Sequence, residues 1–205
     1  MGFTAFVLHE LRPPPGSVLE VGCGDEGGVV PALLEAGYDA VGVDPRAPAE
    51  PHYRQGDFRE VDGAFDAIVA GRVLHHVRPL DEAVARLAEL APVLVADEFA
   101  WDRIDAPAQA WYEERHRALA AAGAQPQGPA SLDEWRARHA AELHPHGVLL
   151  EALRARYEER KLEWLPYFHR WLRDAETEAL ETELVRDGAL PAIGWRWVGV
   201  RRARR

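Results

Sequence analysis

The sequence predicts an α/β fold, in which helices cover both faces of a mostly parallel sheet. Two observations lead to this prediction. Up to about residue 100, short apolar runs alternate with amphipathic helical stretches, as expected of parallel strands joined by right-handed crossovers. After residue 100 the chain is rich in helical stretches and returns only late to strand-like runs, which indicates a helical insertion after the fifth strand.

Five strands and two helices are predicted in the first hundred residues. The strands cover residues 18–21, 40–43, 52–55, 65–70 and 92–96. The first helix, 29–36, has Pro31 in its first turn and Gly37 just past its end, and both are typical of helix boundaries. The second helix, 80–91, carries apolar residues three and four positions apart.

The second half is predicted to contain four helices and two strands. Three of the helices cover residues 104–122, 132 to about 143, and 148–159. Ser131 and Glu134 form a capping box at the start of the second of these, and Asp174 caps a last helix that ends at Gly188. The strands cover residues 162–167 and 193–201.

The chain of 205 residues has a net charge of −10 that is unevenly distributed. Residues 1–100 contain 7 basic and 17 acidic residues, whereas residues 101–205 contain 17 of each. An acidic half that also holds a glycine-rich turn argues against a nucleic-acid substrate, because a phosphate backbone requires a basic surface. The basic tail from Arg201 to Arg205 is therefore interpreted as a solvated terminus.

Cysteine usage and hydropathy favour a cytoplasmic protein. Cys23 is the only cysteine, which excludes an internal disulfide and a cysteine-based zinc site. No apolar run is long enough to span a membrane, and the first residues lack the order of a signal peptide. His139, His144 and His146 are interpreted as loop histidines, so no metal site is predicted. The oligomeric state stays open.

The most informative segment is the glycine turn, residues 22–28, which follows the first strand. Gly22 and Gly24 can adopt backbone angles closed to other residues and let a ligand approach the main chain. The amide groups of the turn and of the following helix start can bind an anionic group, whereas Glu20 is suited to an amine. We therefore expect a ligand that carries both an amine and a carboxylate.

The glycine turn belongs to a series of four ordered motifs. They are residues 18–24, Val43-Asp44, Gly56-Asp57-Phe58 and residues 65–77. Together they resemble the class I S-adenosylmethionine-dependent methyltransferases, particularly the small ubiquinone/menaquinone-biosynthesis-like (methyltransferase type 11) branch. The resemblance covers roughly residues 15–100, and residues 194–200 are similar to the last strand of that fold. It implies a Rossmann-like sheet of seven strands, with the last strand antiparallel between two others.

The resemblance also implies that S-adenosyl-L-methionine is the cofactor and S-adenosyl-L-homocysteine the product. It further implies where the cofactor binds. The amino-acid end would meet the glycine turn and the carbonyl of Gly71, the ribose would meet Asp44, and the adenine would meet Asp57 and Phe58. A carboxylate can accept hydrogen bonds from vicinal hydroxyls or an exocyclic amine, and an aromatic ring can cover a base. The residues assigned to the cofactor are Glu20, Gly22, Cys23, Gly24, Asp44, Pro45, Asp57, Phe58, Gly71 and Arg72.

An NAD(P)-dependent Rossmann oxidoreductase is the alternative interpretation. The spacing of Gly22, Gly24 and Gly27, with Asp44 about 20 residues further on, also matches the dinucleotide fingerprint. Glu20 argues against it, because its charge would lie beside an anionic pyrophosphate. The motif around Asp57 would also have no role in such an enzyme.

His75 and His76 are the predicted catalytic residues, since they follow the fourth strand beside the expected position of the transferable methyl group. Either could act as a general base or form a wall of the methyl pocket, and either could instead be a capping or core residue. Glu98 and Asp102 follow the fifth strand and could face the acceptor or cap a loop. A small-molecule acceptor is expected, but the sequence does not identify its reacting atom. A cofactor-binding module without catalytic activity is a further alternative.

The chain is predicted to be one methyltransferase domain, residues 1–205, with a helical cover over residues 101–160. A short connection would suffice after the fifth strand, whereas about 60 residues intervene here. The cover is charge-balanced and rich in tryptophan, tyrosine and leucine, which suits a partly apolar organic acceptor. A rigid packing element or a dimer surface is the alternative role.

Overall fold

A computed structural model describes residues 1–203, so Arg204 and Arg205 of the predicted solvated tail lie outside the described residues. The helices are α1 (Phe3–Glu10), α2 (Val30–Glu35), α3 (Leu80–Leu90), α4 (Ala106–Ala121), α5 (Leu132–His139), α6 (His146–Arg156), α7 (Phe168–Leu172) and α8 (Ala175–Arg186). The strands are β1 (Ser17–Val21), β2 (Asp39–Asp44), β3 (Tyr53–Gln55), β4 (Ala67–Gly71), β5 (Val93–Phe99), β6 (Tyr157–Leu165) and β7 (Gly194–Arg201).

The seven strands form one sheet in the order β3-β2-β1-β4-β5-β7-β6. The pairs that link β3, β2, β1, β4 and β5 are all parallel. β7 runs antiparallel to β5, since the Arg201 amide donates to Pro92 O at 2.7 Å and the Ala100 amide donates to Ile193 O at 2.6 Å. The predicted α/β class, the seven strands and the antiparallel last strand between two others are confirmed.

The predicted starts of α5 and α8 are confirmed by their caps. The predicted end of β5 differs from the observed one by a few residues. The Ser131 hydroxyl accepts from the Glu134 amide at the start of α5, and Asp174 accepts from the Thr177 amide at the start of α8. β5 is longer than expected and includes Asp97 and Glu98. Strand propensity is low for carboxylates, but here burial between neighbouring strands overrides it.

Two predictions for the second half are wrong at residues 157–161, which lie in β6 rather than at the end of a helix or in a connection. β6 is an edge strand of the sheet. It carries Glu158, Glu159, Arg160 and Lys161, charges that protect an edge from pairing with another chain. Such a composition has no strand signal, so the sequence pattern favours a helix that continues through it.

Helices α1 and α7 were not predicted. α1 is only 8 residues long and has no side-chain cap, and α7 has 5 residues. A weak signal for α1 exists in the spacing of Phe3, Phe6 and Val7, of which the last two are fully buried. Short helices of this kind depend on tertiary packing for their stability.

The chain divides into two compact units, each with its own core. The first comprises residues 1–98, 147–162 and 196 onward, and its core includes Phe6, Val18 and Val95. The second comprises residues 99–146 and 163–195, and its core includes Tyr112, Phe168 and Ile193. The predicted cover over residues 101–160 stays a prediction. None of the helices within residues 1–203 is both long and apolar enough to cross a membrane.

Trp197 of β7 is a fully buried residue in the first unit. Its indole Nε1 donates to Glu159 Oε2 at 2.9 Å. Its ring lies over Gly199, two residues along the same face of the strand, and a Cβ at Gly199 would approach three ring atoms to less than 3.0 Å. The glycine is therefore required by the ring above it.

We expect Gly199→Ala to lower the free energy of unfolding by about 1–3 kcal/mol, because an added methyl group overpacks this site. The measurement is urea denaturation followed by circular dichroism. Gly147→Ala in α6 is the matched control, since an added Cβ there meets no described atom within 4 Å and alanine favours a helix. Equal stability of the two variants would show that the Trp197 ring does not constrain residue 199.

Candidate functional site

The carboxyl ends of four parallel strands carry most of the residues predicted for the site. The strands are in register, so that Val21 of β1 lies beside Val43 and Ala70, and Gly71 of β4 lies beside Asp97. The turns that follow β1, β2 and β4, together with Asp97 and Glu98 near the end of β5, therefore lie at one edge of the sheet, in the first unit. This edge is the candidate site.

Glu20 lies near the end of β1 and is 3% exposed. Its Oε2 accepts from the amides of Val29 at 2.7 Å and Val30 at 3.1 Å, at the start of α2. Burial raises the pKa of this carboxyl from 4.5 to about 7, although the two amide hydrogen bonds favour the charged form. Glu20 thus holds the glycine turn to β1, and the helix amides expected to bind an anionic ligand already have a partner.

Gly22 and Gly24 both have positive φ, +79° and +64°, which favours glycine. The Gly22 amide donates to Val43 O at 2.9 Å, and a Cβ at Gly22 would lie 2.7 Å from the Cβ of Val73. By contrast, no atom of the described residues lies within 4 Å of the Cβ position at Gly24. The turn is thus packed against the loop after β4 at Gly22 and is open to a ligand at Gly24.

Cys23 is buried beneath the turn rather than exposed to a ligand. Its Sγ would lie 2.9 Å from a Cβ on Gly42, and the neighbouring Tyr53 hydroxyl donates to Gly27 O at 3.3 Å. Burial, and then the charges of nearby carboxylates, raise the pKa of the Cys23 thiol to about 12. The side chain is therefore a neutral packing group that joins the turn to β2.

Asp44 is half-buried at the end of β2, and Pro45 after it is exposed. Asp44 Oδ1 accepts from the Arg46 amide at 2.8 Å, which fixes the carboxylate at the edge of the sheet. The Gly56 amide donates to Asp44 O at 3.2 Å, so the third motif begins beside the second. The position of the Asp44 carboxylate is compatible with the ribose hydroxyls.

Asp57 and Phe58 are occupied by contacts within the protein. Asp57 caps a short 3-10 turn, accepts from the Arg59 amide and Nε at 2.9 Å each, and forms an ion pair with Arg59 Nη2. The hydrogen bonds from Arg59 hold the pKa of Asp57 below its usual value. Phe58 is buried, so little of its ring is accessible to a base. The adenine role of this pair stays a prediction.

Gly71 and Arg72 form the turn after β4. Arg72 is exposed and has a φ of +57°, a strained value for a residue with a side chain. Its amide donates to Asp97 O at 2.6 Å. A Cβ at Gly71 would lie 3.0 Å from Cε1 of Phe3, so the first residue of α1 lies against this turn. No motif in the sequence indicates Phe3 as a residue of the site.

His75 and His76 differ sharply in their environments. His75 is buried, and its Nδ1 lies 2.5 Å from Oε2 of the fully buried Glu98. Glu98 Oε1 also accepts from the Leu74 amide at 2.7 Å, at the start of the 3-10 turn that carries both histidines. His76 is exposed, and its ring centroid lies 4.1 Å from that of His75. Glu98 therefore caps this loop, which was one of its two expected roles.

Asp102 belongs to the second unit and forms a separate cluster there. Its carboxylate accepts from the His146 amide at 3.1 Å and lies 2.8 Å from His146 Nδ1. The His146 ring meets Trp164 edge to face, and the Arg103 guanidinium stacks on Trp164 at 3.9 Å. Asp102 thereby caps the start of α6.

Arg196 is a buried residue near the site that the sequence analysis missed. It is 6% exposed, and its Nε donates to Asp97 Oδ1 at 3.2 Å. The two residues are 99 positions apart, so no local pattern links them. The only available signal was a charged residue between tryptophans in an otherwise apolar strand, which indicates a buried partner.

The sheet order, the antiparallel β7 and the glycine turn after β1 define a class I methyltransferase fold. A family model described as a methyltransferase domain matches residues 3–170, and the chain belongs to this family. The predicted family is thus confirmed, and the chain is an enzyme of the methyltransferase class. The ubiquinone/menaquinone-like branch stays a prediction, and none of the curated proteins matches the sequence.

Three solved structures illustrate the similarity in fold. An S-adenosylmethionine-dependent methyltransferase from Mesorhizobium loti is 16% identical with a TM-score of 0.59, over 97% of this chain and 96% of that one. Geranyl diphosphate C-methyltransferase from Streptomyces coelicolor is 15% identical, with a TM-score of 0.61 and coverage of 97% and 79%. Magnesium protoporphyrin IX methyltransferase from Synechocystis is 17% identical, with a TM-score of 0.56 and coverage of 97% and 80%.

We expect Glu20 to make stability depend on pH. Its folded-state pKa of about 7 exceeds the ordinary value of 4.5, so the folded state binds the proton more tightly between these values. The stabilisation is complete below pH 4.5 and is lost as the pH rises to 7. Glu20→Gln keeps an oxygen acceptor and removes this dependence, so the parent should lose about 3 kcal/mol relative to the variant.

The measurement is urea denaturation of both proteins at pH 4.5 to 7.5. Glu35→Gln, at an exposed position on α2, is the control for the change in net charge. Parallel stability curves for the parent and Glu20→Gln would contradict the assignment of a buried, weakly acidic carboxyl.

Proposed function

We propose that the protein transfers the methyl group of S-adenosyl-L-methionine to a small organic acceptor. The observation that carries this proposal is the glycine turn, which is open at Gly24 and lies beside Asp44 at the same sheet edge. The Synechocystis and Streptomyces proteins of similar fold were solved with S-adenosylhomocysteine bound, which supports the same cofactor here.

The residues at the edge fit the chemistry of this cofactor. The positive φ and the open Cβ direction of Gly24 let a ligand lie against the main chain. Asp44 offers a carboxylate to ribose hydroxyls, and the carbonyl of Gly71 offers an acceptor to an amine. Glu20 supports this arrangement by holding the turn through the amides of Val29 and Val30. The cofactor, when bound, supplies a methyl group activated by a sulfonium.

The protein's own residues must then align the acceptor with the methyl group and exclude water. His76 is better suited than His75 to meet the acceptor, because His76 is exposed whereas His75 is buried and bound to Glu98. An imidazole at this position can take a proton from a hydroxyl or an acidic carbon, and it is not needed for an amine acceptor. Arg72, exposed in the turn after β4, can bind a carboxylate on the cofactor or acceptor.

The glycine spacing by itself also matches an NAD(P)-dependent oxidoreductase, but the match to the methyltransferase family argues against that assignment. Glu20 argues against it, because the amides of Val29 and Val30 at the helix start are bound to this carboxylate. A pyrophosphate would have to displace a buried acidic group to reach them.

We expect isothermal titration calorimetry to show binding of S-adenosylhomocysteine and none of NAD or NADP. Asp44→Ala should weaken S-adenosylhomocysteine binding by about 1.5–3 kcal/mol, the scale of hydrogen bonds to a charged group. Asp39→Ala, at the opposite end of β2, is the matched control and should bind as the parent does. Heat from NAD with none from S-adenosylhomocysteine would overturn the proposed cofactor.

We also propose that the part of the predicted cover that lies in the second unit, residues 101–146, selects the acceptor. Its half-buried aromatic residues suit a partly apolar organic molecule, and Trp101 lies two residues after the carboxyl end of β5. The small-molecule substrates named for the two enzymes of similar fold support this class of acceptor. Trp101 Nε1 donates to His144 O at 3.2 Å, which fixes its indole within the second unit.

Trp101→Ala should lower turnover of an acceptor at least about tenfold without changing S-adenosylhomocysteine affinity, because the role proposed for the indole is to contact the acceptor and not the cofactor. The assay follows S-adenosylhomocysteine release with a panel of small phenols, carboxylates and amines. Trp111→Ala is the control, because Trp111 is equally half-buried in the second unit but lies within α4 against Phe168. A Trp101→Ala enzyme as active as the parent would assign a structural role to this part of the cover.

A further inference from the structure

Arg196 joins three elements of the first unit at the candidate site. Its Nε donates to Asp97 at the end of β5, and its Nη1 donates to Met1 O at 2.9 Å. Its guanidinium also lies 5.1 Å from the ring centroid of Phe6 on α1. A buried guanidinium is costly unless it is paired, and here one side chain holds both the sheet edge and the segment before α1.

The Arg196–Asp97 pair lies next to the turn proposed to meet the cofactor. Asp97 is the register neighbour of Gly71, and its carbonyl accepts from the Arg72 amide at 2.6 Å. Any movement of Asp97 therefore reaches the strained backbone of Arg72 directly.

Phe3 packs against the same turn at Gly71. The three atoms nearest to a Cβ position on Gly71 are all ring carbons of Phe3, at 3.0 to 3.8 Å. The ring is only half-buried, and the part not packed on the core is accessible to a ligand. An aromatic ring in this position can cover the methylene chain of an amino-acid ligand.

We propose that Phe3 covers the amino-acid end of the bound cofactor at Gly71, and that Arg196 positions Phe3 by holding Met1. This inference rests on the proposed function, since it requires the cofactor at this edge. Phe3 is then a binding residue, and Arg196 is a positioning residue that acts through it.

The anchoring of α1 explains why Arg196 controls Phe3 in particular. The far end of the helix is held by the ion pair of Glu10 with Lys161 at 2.6 Å, and its middle is fixed by the buried Phe6 and Val7. The first turn has no side-chain cap, and the Arg196 bond lies immediately before it. First turns without caps fray, and loss of this bond would release the Phe3 ring from Gly71.

Phe3→Ala should weaken S-adenosylhomocysteine binding about tenfold in calorimetry. Leu8→Ala is the matched control, because Leu8 is also half-buried on α1 and packs on the same core. It should bind within about twofold of the parent. Equal affinities for Phe3→Ala and the parent would overturn the role of Phe3.

A double-mutant cycle separates positioning from general structural support. Lysine cannot reproduce the two-sided contact of the guanidinium, so Arg196→Lys should weaken binding while Phe3 is present. In the Phe3→Ala background, the same substitution should have no further effect, because the ring it positions is gone. Additive losses would show that Arg196 only stabilises the fold and would overturn the positioning role. If circular dichroism shows that Arg196→Lys does not fold, Asp97→Asn replaces that variant in the cycle.

The outcomes distinguish this inference from the proposed function. A folded parent that does not bind S-adenosylhomocysteine overturns the proposed function and the inference with it. A parent that binds, with variants that bind equally well, overturns only the inference.

Discussion

Hydrogen bonds from backbone amides to buried carboxylates are the interaction on which the rest of the structure depends. Glu20 binds two amides at the start of α2, and Glu98 binds the amides of Val73 and Leu74 after β4. In the second unit, Glu181 binds three successive amides, from Tyr167 to His169. Each carboxylate fixes a loop where the chain leaves a regular element. Its removal would leave two or three buried donors unsatisfied, at about 1–3 kcal/mol each.

These hydrogen bonds also explain why the candidate site can be exposed and still have a well-defined geometry. Val73, held by Glu98, packs on Gly22 of the glycine turn, and Glu20 holds the other end of that turn. The glycine turn and the loop after β4 are therefore fixed by buried carboxylates and by their contact with each other. The backbone around Gly24 stays open. Ligand-binding geometry is set by groups that need not touch the ligand themselves.

The parallel strands and their polar ends could be predicted because they are local patterns, such as the apolar run of β1 followed by Gly22 and Gly24. The hydrogen-bond partners of these polar residues could not be predicted. Glu20 was expected to face an amine, but its amide partners come from Val29 and Val30, and a carboxylate in sequence gives no sign of that choice. Likewise, the charged composition of β6 conceals an edge strand, and the Arg196–Asp97 pair joins two strands distant in sequence.

The position of β7 between β5 and β6 has a consequence for how the protein is made. β6 is synthesised before β7, yet it cannot join the sheet until β7 has been added beside β5. During translation, β5 thus presents an unpaired edge to other chains for the whole time that residues 100–193 are being made. The charges of β6 protect the finished edge, whereas the edge of β5 presents the apolar run Leu94, Val95 and Ala96 before Asp97 and Glu98. The nascent chain is therefore most prone to aggregation just before its last strand emerges from the ribosome.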